Sequence, residues 1–140
     1  MYASATGLKR MVMEGTDSPD RAKFLERVGR PAEDISPKEM AEAARAGDDY
    51  ARELFRRYAY YLGLGLASIV NVLGIHTIVI GGGVSQSWDL FIKPLQKEFA
   101  RRSYDETVRI TQFLRAKLGE DAGIIGAAHG AADTPLHPLS

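Results

Sequence analysis

The sequence predicts an α/β protein, rich in helix, with a small and mainly parallel sheet. Three observations carry that reading. Helix-start residues and Gly stops recur through the first half of the chain. One long apolar stripe then follows at three- and four-residue steps. After it comes a short β-branched run closed by three glycines, Thr77-Ile78-Val79-Ile80-Gly81-Gly82-Gly83.

The elements follow in order. Ser4 to Glu14 reads as a short helix with Gly15 beyond its end. Ser18-Pro19 places an N-cap before a proline at the first helical position, and that helix runs to about Val28. Gly29-Arg30-Pro31 breaks it. Ser36-Pro37-Lys38-Glu39 is a capping box, the clearest helix start in the chain. This third helix ends near Ala46, with Gly47 as its stop. A long helix is expected from about Asp48 to Leu73, its stripe made by Leu54, Phe55, Tyr58, Leu62, Leu66, Ile69 and Leu73. Beyond Tyr58 it is apolar on nearly every side, which predicts full burial of its second half. Gly63 and Gly65 each cost up to ~1 kcal/mol relative to Ala in a helix, which predicts a close-packed neighbouring backbone.

Thr77 to Ile80 reads as a strand covered on both faces. A helix follows from about Ser87, kinked or divided at Pro94, with Lys97 to Arg102 as its solvated end. Val108 to Phe113 reads as a second strand, set parallel to the first by a right-handed crossover. Asp121 caps a last helix through Ala132. Thr134 to Ser140, with Pro135 and Pro138, reads as a frayed tail. The boundaries are therefore one domain over 1–132 and a flexible tail over 133–140. Two strands make a poor sheet, since three or more are usually needed for independent stability.

Composition narrows the function. The 140 residues carry 18 Lys plus Arg and 18 Asp plus Glu, a formal charge of zero. That balance argues against direct nucleic-acid binding and against a polybasic membrane anchor. There is no Cys, which excludes disulfides, Cys-ligated zinc and thiol catalysis within the chain. No charge falls between Arg57 and Asp89. Asn71, Gly74 and His76 interrupt that stretch, so a buried helix and strand explain it better than a membrane span. The opening residues lack the order of a signal peptide, and a cytoplasmic protein is expected.

Few residues here carry chemistry. Glycines at the end of a buried strand allow positive φ and remove side chains that would block a flat or charged ligand. In open α/β sheets ligands sit beyond the carboxyl ends of strands. Gly81 to Gly83 match neither a dinucleotide fingerprint nor a P-loop, and composition alone leaves both a structural turn and a ligand contact open. Gly119 to Ala128 is a second small-residue segment at a helix start, read on spacing as helix–sheet packing. His76, His129 and His137 lack metal-ligand spacing. Glu120 and Asp121 read as capping acids. Arg56-Arg57 and Arg101-Arg102 read as solvated faces, and Tyr58, Tyr60 and Tyr61 as core and interface.

Three segments taken together are more specific. They are Leu62-Gly63-Leu64-Gly65-Leu66-Ala67-Ser68-Ile69-Val70-Asn71-Val72-Leu73, Ile78 to Ser85, and Gly119-Glu120-Asp121-Ala122-Gly123-Ile124-Ile125-Gly126-Ala127-Ala128. In that order the chain closely resembles the C-terminal part of ROK proteins (repressors, open reading frames and kinases). Ala41 to Asp48 and Tyr2 to Thr6 fit the same family, and the resemblance covers about Tyr2 to Ala132. It implies the C-terminal lobe of the actin-like, hexokinase-type ATPase (ribonuclease H-like) fold. It also implies a sugar kinase that moves the γ-phosphoryl of MgATP onto a hexose or an N-acetylated amino sugar. Gly81, Gly82 and Gly83 then become nucleotide-contacting positions.

The departures from the family pattern are equally informative. The D-x-G-G-T phosphate turn, the Asn-Asp pair with its general base, the E-x-G-H sugar segment and the cysteine zinc motif are all absent. The family's zinc therefore has no ligands here. The expectation is the C-terminal part of a kinase, inactive alone and assembled as a homodimer or larger oligomer. The alternatives are the effector part of a ROK repressor and a stand-alone interaction module.

Overall fold

The computed structural model describes residues 5–15 and 18–116. Four helices come first: α1 (Ala5–Met13), α2 (Pro19–Val28), α3 (Pro37–Arg45) and α4 (Asp49–Leu73). Strand β1 (Thr77–Ile80), helices α5 (Trp88–Ala100) and α6 (Asp105–Ile110), and strand β2 (Gln112–Arg115) complete the described chain.

The helix ends sit where the capping residues put them. The Ser18 hydroxyl accepts from the Arg21 N–H at 3.2 Å, and Gly29 closes α2 in the left-handed region at φ 67°. Ser36 and Glu39 form a reciprocal box. The Ser36 hydroxyl accepts from the Glu39 N–H at 3.2 Å, and the Glu39 carboxylate accepts from the Ser36 N–H at 2.9 Å. Asp48 caps α4, its carboxylate accepting from the Ala51 N–H at 2.8 Å and meeting Arg27 at 3.0 Å. Each of these satisfies a donor that the first turn of a helix otherwise leaves free.

The core lies where α4 meets the other helices. Phe24, Phe55, Tyr58, Phe91, Leu95 and Phe99 are fully buried in it. Gly63 explains the closeness of α4 and α5. A Cβ there would stand 3.0 Å from the Glu98 Cβ and 3.4 Å from the Leu95 carbonyl oxygen and the Phe99 nitrogen. Among the described residues a Cβ added at Gly65 would meet nothing within 4 Å, so these residues show the expected close packing at Gly63. Pro94 sits inside α5 without dividing it.

β1 and β2 pair in parallel, with Ile78 opposite Phe113 and Ile80 opposite Arg115. The crossover through α5 covers one face of this pair, where Phe113 stacks edge-on against Phe99.

Three expectations need correction. The second strand occupies Gln112–Arg115, not Val108 to Phe113, because residues 105–110 form α6. Asp105 and Glu106 in its first turn suit the positive end of a helix, and they override the strand preference of Val108 and Ile110. The second half of α4 is not fully buried: Ile69 is 49% exposed and Val72 81%. A 25-residue helix is about 37 Å long, whereas the 13 residues of α5 span about 20 Å. Among the described residues α5 covers one side of this half of α4, and Ile69 and Val72 lie away from it. Among the described residues β1 is likewise covered on one face only. Ile78 and Ile80 are buried while Val79 is 61% exposed. The last helix and tail expected over 121–140 lie outside the described residues. Among the described residues no helix is long and apolar enough to cross a membrane.

Candidate nucleotide-contact site at the end of the first strand

The site begins where β1 stops. Gly81 follows the strand, and an added Cβ there would lie 3.2 Å from the Ala116 Cβ, so its bareness lets the end of β2 close in. Gly82 has φ 75° and ψ −176°, a backbone state that glycine adopts readily and L side chains do not. Gly83 opens a 3-10 turn that runs to Ser87 and is secured by the Ser85 N–H donating to the Gly82 carbonyl at 3.0 Å. Two of the three glycines thus have a structural reason to be there. The bend is nevertheless open: Gly81 and Gly82 are exposed and Gly83 half-buried.

The bend rims a groove of 480 Å³. Its other walls are Thr6 from α1, Tyr58, Leu62 and Leu66 from α4, and Ile78 from β1. Among the described residues no charged side chain lines it. Burial pushes the Tyr58 hydroxyl up to about 12, so that group stays neutral. Such a groove takes a flat, weakly polar body against apolar walls and offers backbone groups at its rim. Its described lining holds no cation for phosphate, no carboxylate for Mg²⁺ and no group to accept a proton from a sugar hydroxyl. The residues present therefore fit the nucleoside part of MgATP but not its metal. Among the described residues no three of His, Asp and Glu converge to hold an ion.

A clamp fixes the turn beyond the glycines. Arg45 of α3 grips the Asp89 carboxylate through two nitrogens, at 2.7 and 2.9 Å, and donates to the Gln86 carbonyl at 3.1 Å. Arg115 of β2 donates to the Gln86 side-chain oxygen at 2.9 Å. Arg45 holds the Asp89 carboxyl below its ordinary range. α3, α5 and β2 thereby converge on one turn.

Gly81, Gly82 and Gly83 are brought together as the sequence requires, and Leu62 and Leu66, read as core stripe, also wall the groove. Arg45, Gln86, Asp89 and Arg115 carry no sequence signal, since the pair Arg45 and Asp89 is 44 residues apart. Arg56, Arg57 and Arg101 are exposed as expected, whereas Arg102 is half-buried, its guanidinium 4.9 Å from the centre of the Tyr60 ring. Arg56 meets Glu53 at 2.6 Å, and Arg101 and Arg102 both meet Glu98. Tyr58 is core, whereas Tyr60 and Tyr61 are exposed. His76 contributes its carbonyl to the sheet, accepting from the Gln112 N–H at 2.8 Å. Glu120, Asp121, His129, His137 and the segment Gly119 to Ala128 lie outside the described residues.

Helices packed ahead of a parallel strand–helix–strand unit, with a glycine bend over an open groove, define the C-terminal lobe of the actin-like, hexokinase-type ATPase fold. The chain matches the ROK family over residues 1–133 and belongs to it. It is 35% identical over 124 residues to a glucokinase of Halalkalibacterium halodurans, covering 89% of this chain and 37% of that one. It is 32% identical over 130 residues to a glucokinase of Streptomyces coelicolor, covering 91% and 41%. A ROK glucokinase from Streptomyces griseus, crystallised with glucose and AMPPNP, superposes with a TM-score of 0.81 at 33% identity, over 95% of this chain and 44% of that one. The chain thus spans less than half the length of these relatives.

Proposed function

We propose that this chain is the nucleotide side of an ATP-dependent ROK sugar kinase, contacting adenosine through Gly81, Gly82 and Gly83. The observation that carries the reading is the groove itself. It is open, apolar-walled, glycine-rimmed and uncharged, at the carboxyl end of the first strand of a parallel pair. The likeness to glucokinases favours a hexose as the phosphoryl acceptor, and the family resemblance also admits an N-acetylated amino sugar.

In such a transfer the sugar hydroxyl oxygen attacks the γ-phosphorus, the bond to the bridging oxygen breaks, and ADP leaves. The hydroxyl proton passes to a carboxylate base. A positioned base contributes roughly 10²- to 10⁴-fold, and holding the two reactants together contributes ~7–11 kcal/mol. Among the described residues neither the groove nor its rim supplies these groups. The chain alone therefore binds nucleotide without turning it over.

Calorimetric titration of the purified chain tests the reading. Because no charge lines the groove, adenosine and AMPPNP should bind within about tenfold of each other, a difference under about 1.4 kcal/mol. The chain alone should form no ADP in response to glucose. Absence of adenosine binding overturns the nucleotide assignment. Glucose-dependent ADP formation that copurifies with the chain overturns the claim of inertness.

A further inference from the structure

We propose that the groove between α4 and α5 is a binding site for a small hydroxylated molecule carrying two phosphate groups. The inference goes beyond the nucleotide reading and does not rest on it.

Charge gives the first reason. The groove has a volume of 560 Å³, the size of a small-molecule site. Arg52 and Arg56 line it from α4, and Lys93 and Lys97 from α5. All four are exposed. Each pair stands four residues apart on one helix, a spacing at which like charges destabilise it. The chain as a whole has no net charge, so the crowding of cations is local to this seam. The two carboxylates of the same lining do not relieve it. Asp89 is held by Arg45, and Glu98 by Arg101 and Arg102, all from outside the lining. Arg56 meets the exposed Glu53, a kind of pair that contributes little. Arg52 gives one N–H to the Ala44 carbonyl at 3.1 Å, a neutral acceptor. Among the described residues Lys93 and Lys97 meet no carboxylate.

The backbone gives the second. Leu90, Pro94 and the buried Phe55 supply the apolar part of the lining. Pro94 lies inside α5 and has no N–H to give the Leu90 carbonyl one turn back. An acceptor without its helical donor therefore stands among the cations. It suits a hydroxyl on a carbon body, and the cations suit phosphates, which Arg grips through paired hydrogen bonds and Lys as a point charge.

Extent gives the third. Asp89 and Glu98 are both part of the lining, and their positions on α5 are about 13.5 Å apart along the helix. A long polyanion would have to run past these carboxylates, whereas a compact one fits between them. Two like-charged pairs call for two phosphate groups.

Calorimetric titration of the 140-residue chain, run with and without saturating adenosine, tests the site. Glucose 1,6-bisphosphate should bind at least about tenfold tighter than glucose 6-phosphate or pyrophosphate. Adenosine, which has no phosphate, should change its affinity by less than about twofold, since separate sites do not compete. Lys93→Ala combined with Lys97→Ala should weaken binding at least about tenfold. Lys23→Ala with Lys38→Ala removes the same charge from exposed positions off the groove, and should stay within about twofold because salt screens distant charges. Without ligand the Lys93 and Lys97 double variant should melt no lower than the parent, since it relieves a like-charge pair. A lower midpoint would make the lysines structural and overturn the proposal. So would no binding, equal binding by the two double variants, or competition by adenosine. Pyrophosphate binding as tightly as the bisphosphate would overturn it as well, by leaving the carbon body without a role. Bisphosphate binding in a chain that ignores adenosine would retain this site and remove only the nucleotide reading.

Discussion

The helical part and the sheet end of this molecule are built to different standards of completion. In α2 to α4 the helix starts are capped, and Phe24 and Phe55 are sealed at 0% and 1% exposure. At the sheet end a two-stranded ladder leaves Val79 and Leu114 in solvent, at 61% and 46%. The contrast teaches where the folding energy resides. Burial against α4 stabilises the chain, and the strands are carried by that core and add little to it. The groove lies at the seam, with Tyr58 and Leu62 from the finished side and Ile78 and the glycines from the unfinished one.

The largest effect should come from breaking the finished side. Phe91 is fully buried, edge-on to both Tyr58 and Trp88 at 5.4 and 5.8 Å. Phe91→Ala should cost about 3–5 kcal/mol in urea unfolding. Val79→Ser on the open face should stay within about 0.5 kcal/mol, as surface substitutions do. Equal losses from the two variants would mean that the sheet face is covered in solution.

How much of this was legible in the sequence depends on the range of the cause. Ser18, Ser36 and Asp48 announced their helices because a cap is a contact three residues long. The Gly81 to Gly83 bend was legible because backbone freedom is written in residue type. The exposed half of α4 was not, since apolar periodicity says which faces want cover and not whether a partner long enough exists. The strand at 112–115 was displaced because Val108 and Ile110 satisfy strand preference locally, while Asp105, Glu106 and packing against α5 decide for helix. The clamp of Arg45, Asp89 and Gln86 was invisible because it joins elements that meet only after folding. The uncharged lining of the groove belongs to the same class, since it is a property of α1, α4, β1 and the glycine bend together.

The middle-sized effect sharpens the seam between α4 and α5. Gly63→Ala pushes a methyl group toward the Glu98 Cβ and the backbone of α5, and rigid backbone yields poorly. The overpacking should cost about 1–3 kcal/mol, against a helix-propensity gain of at most ~1 kcal/mol. Gly65→Ala meets open space and should keep that gain. Thermal unfolding of the two variants should therefore move in opposite directions. Movement in the same direction would mean that α4 and α5 are not held at this closeness.

The smallest effect concerns the caps themselves. The Ser36 N–H and hydroxyl, with a further contribution from Arg30, hold the Glu39 carboxyl below its ordinary value. A carboxyl depressed in the folded state binds its proton less readily there than in the unfolded chain. Its contribution is therefore present above the unfolded value and is lost as pH falls through the folded one. Glu39→Gln keeps a reaching acceptor at this position of the capping box but cannot titrate. Urea midpoints measured from neutral pH down through the acidic carboxylate range should fall less steeply in this variant than in the parent chain. Parallel pH profiles would show that the box holds by geometry and not by charge. The acid sensitivity would then belong to the other depressed carboxyls, Asp89 beside Arg45 and Glu98 beside Arg102.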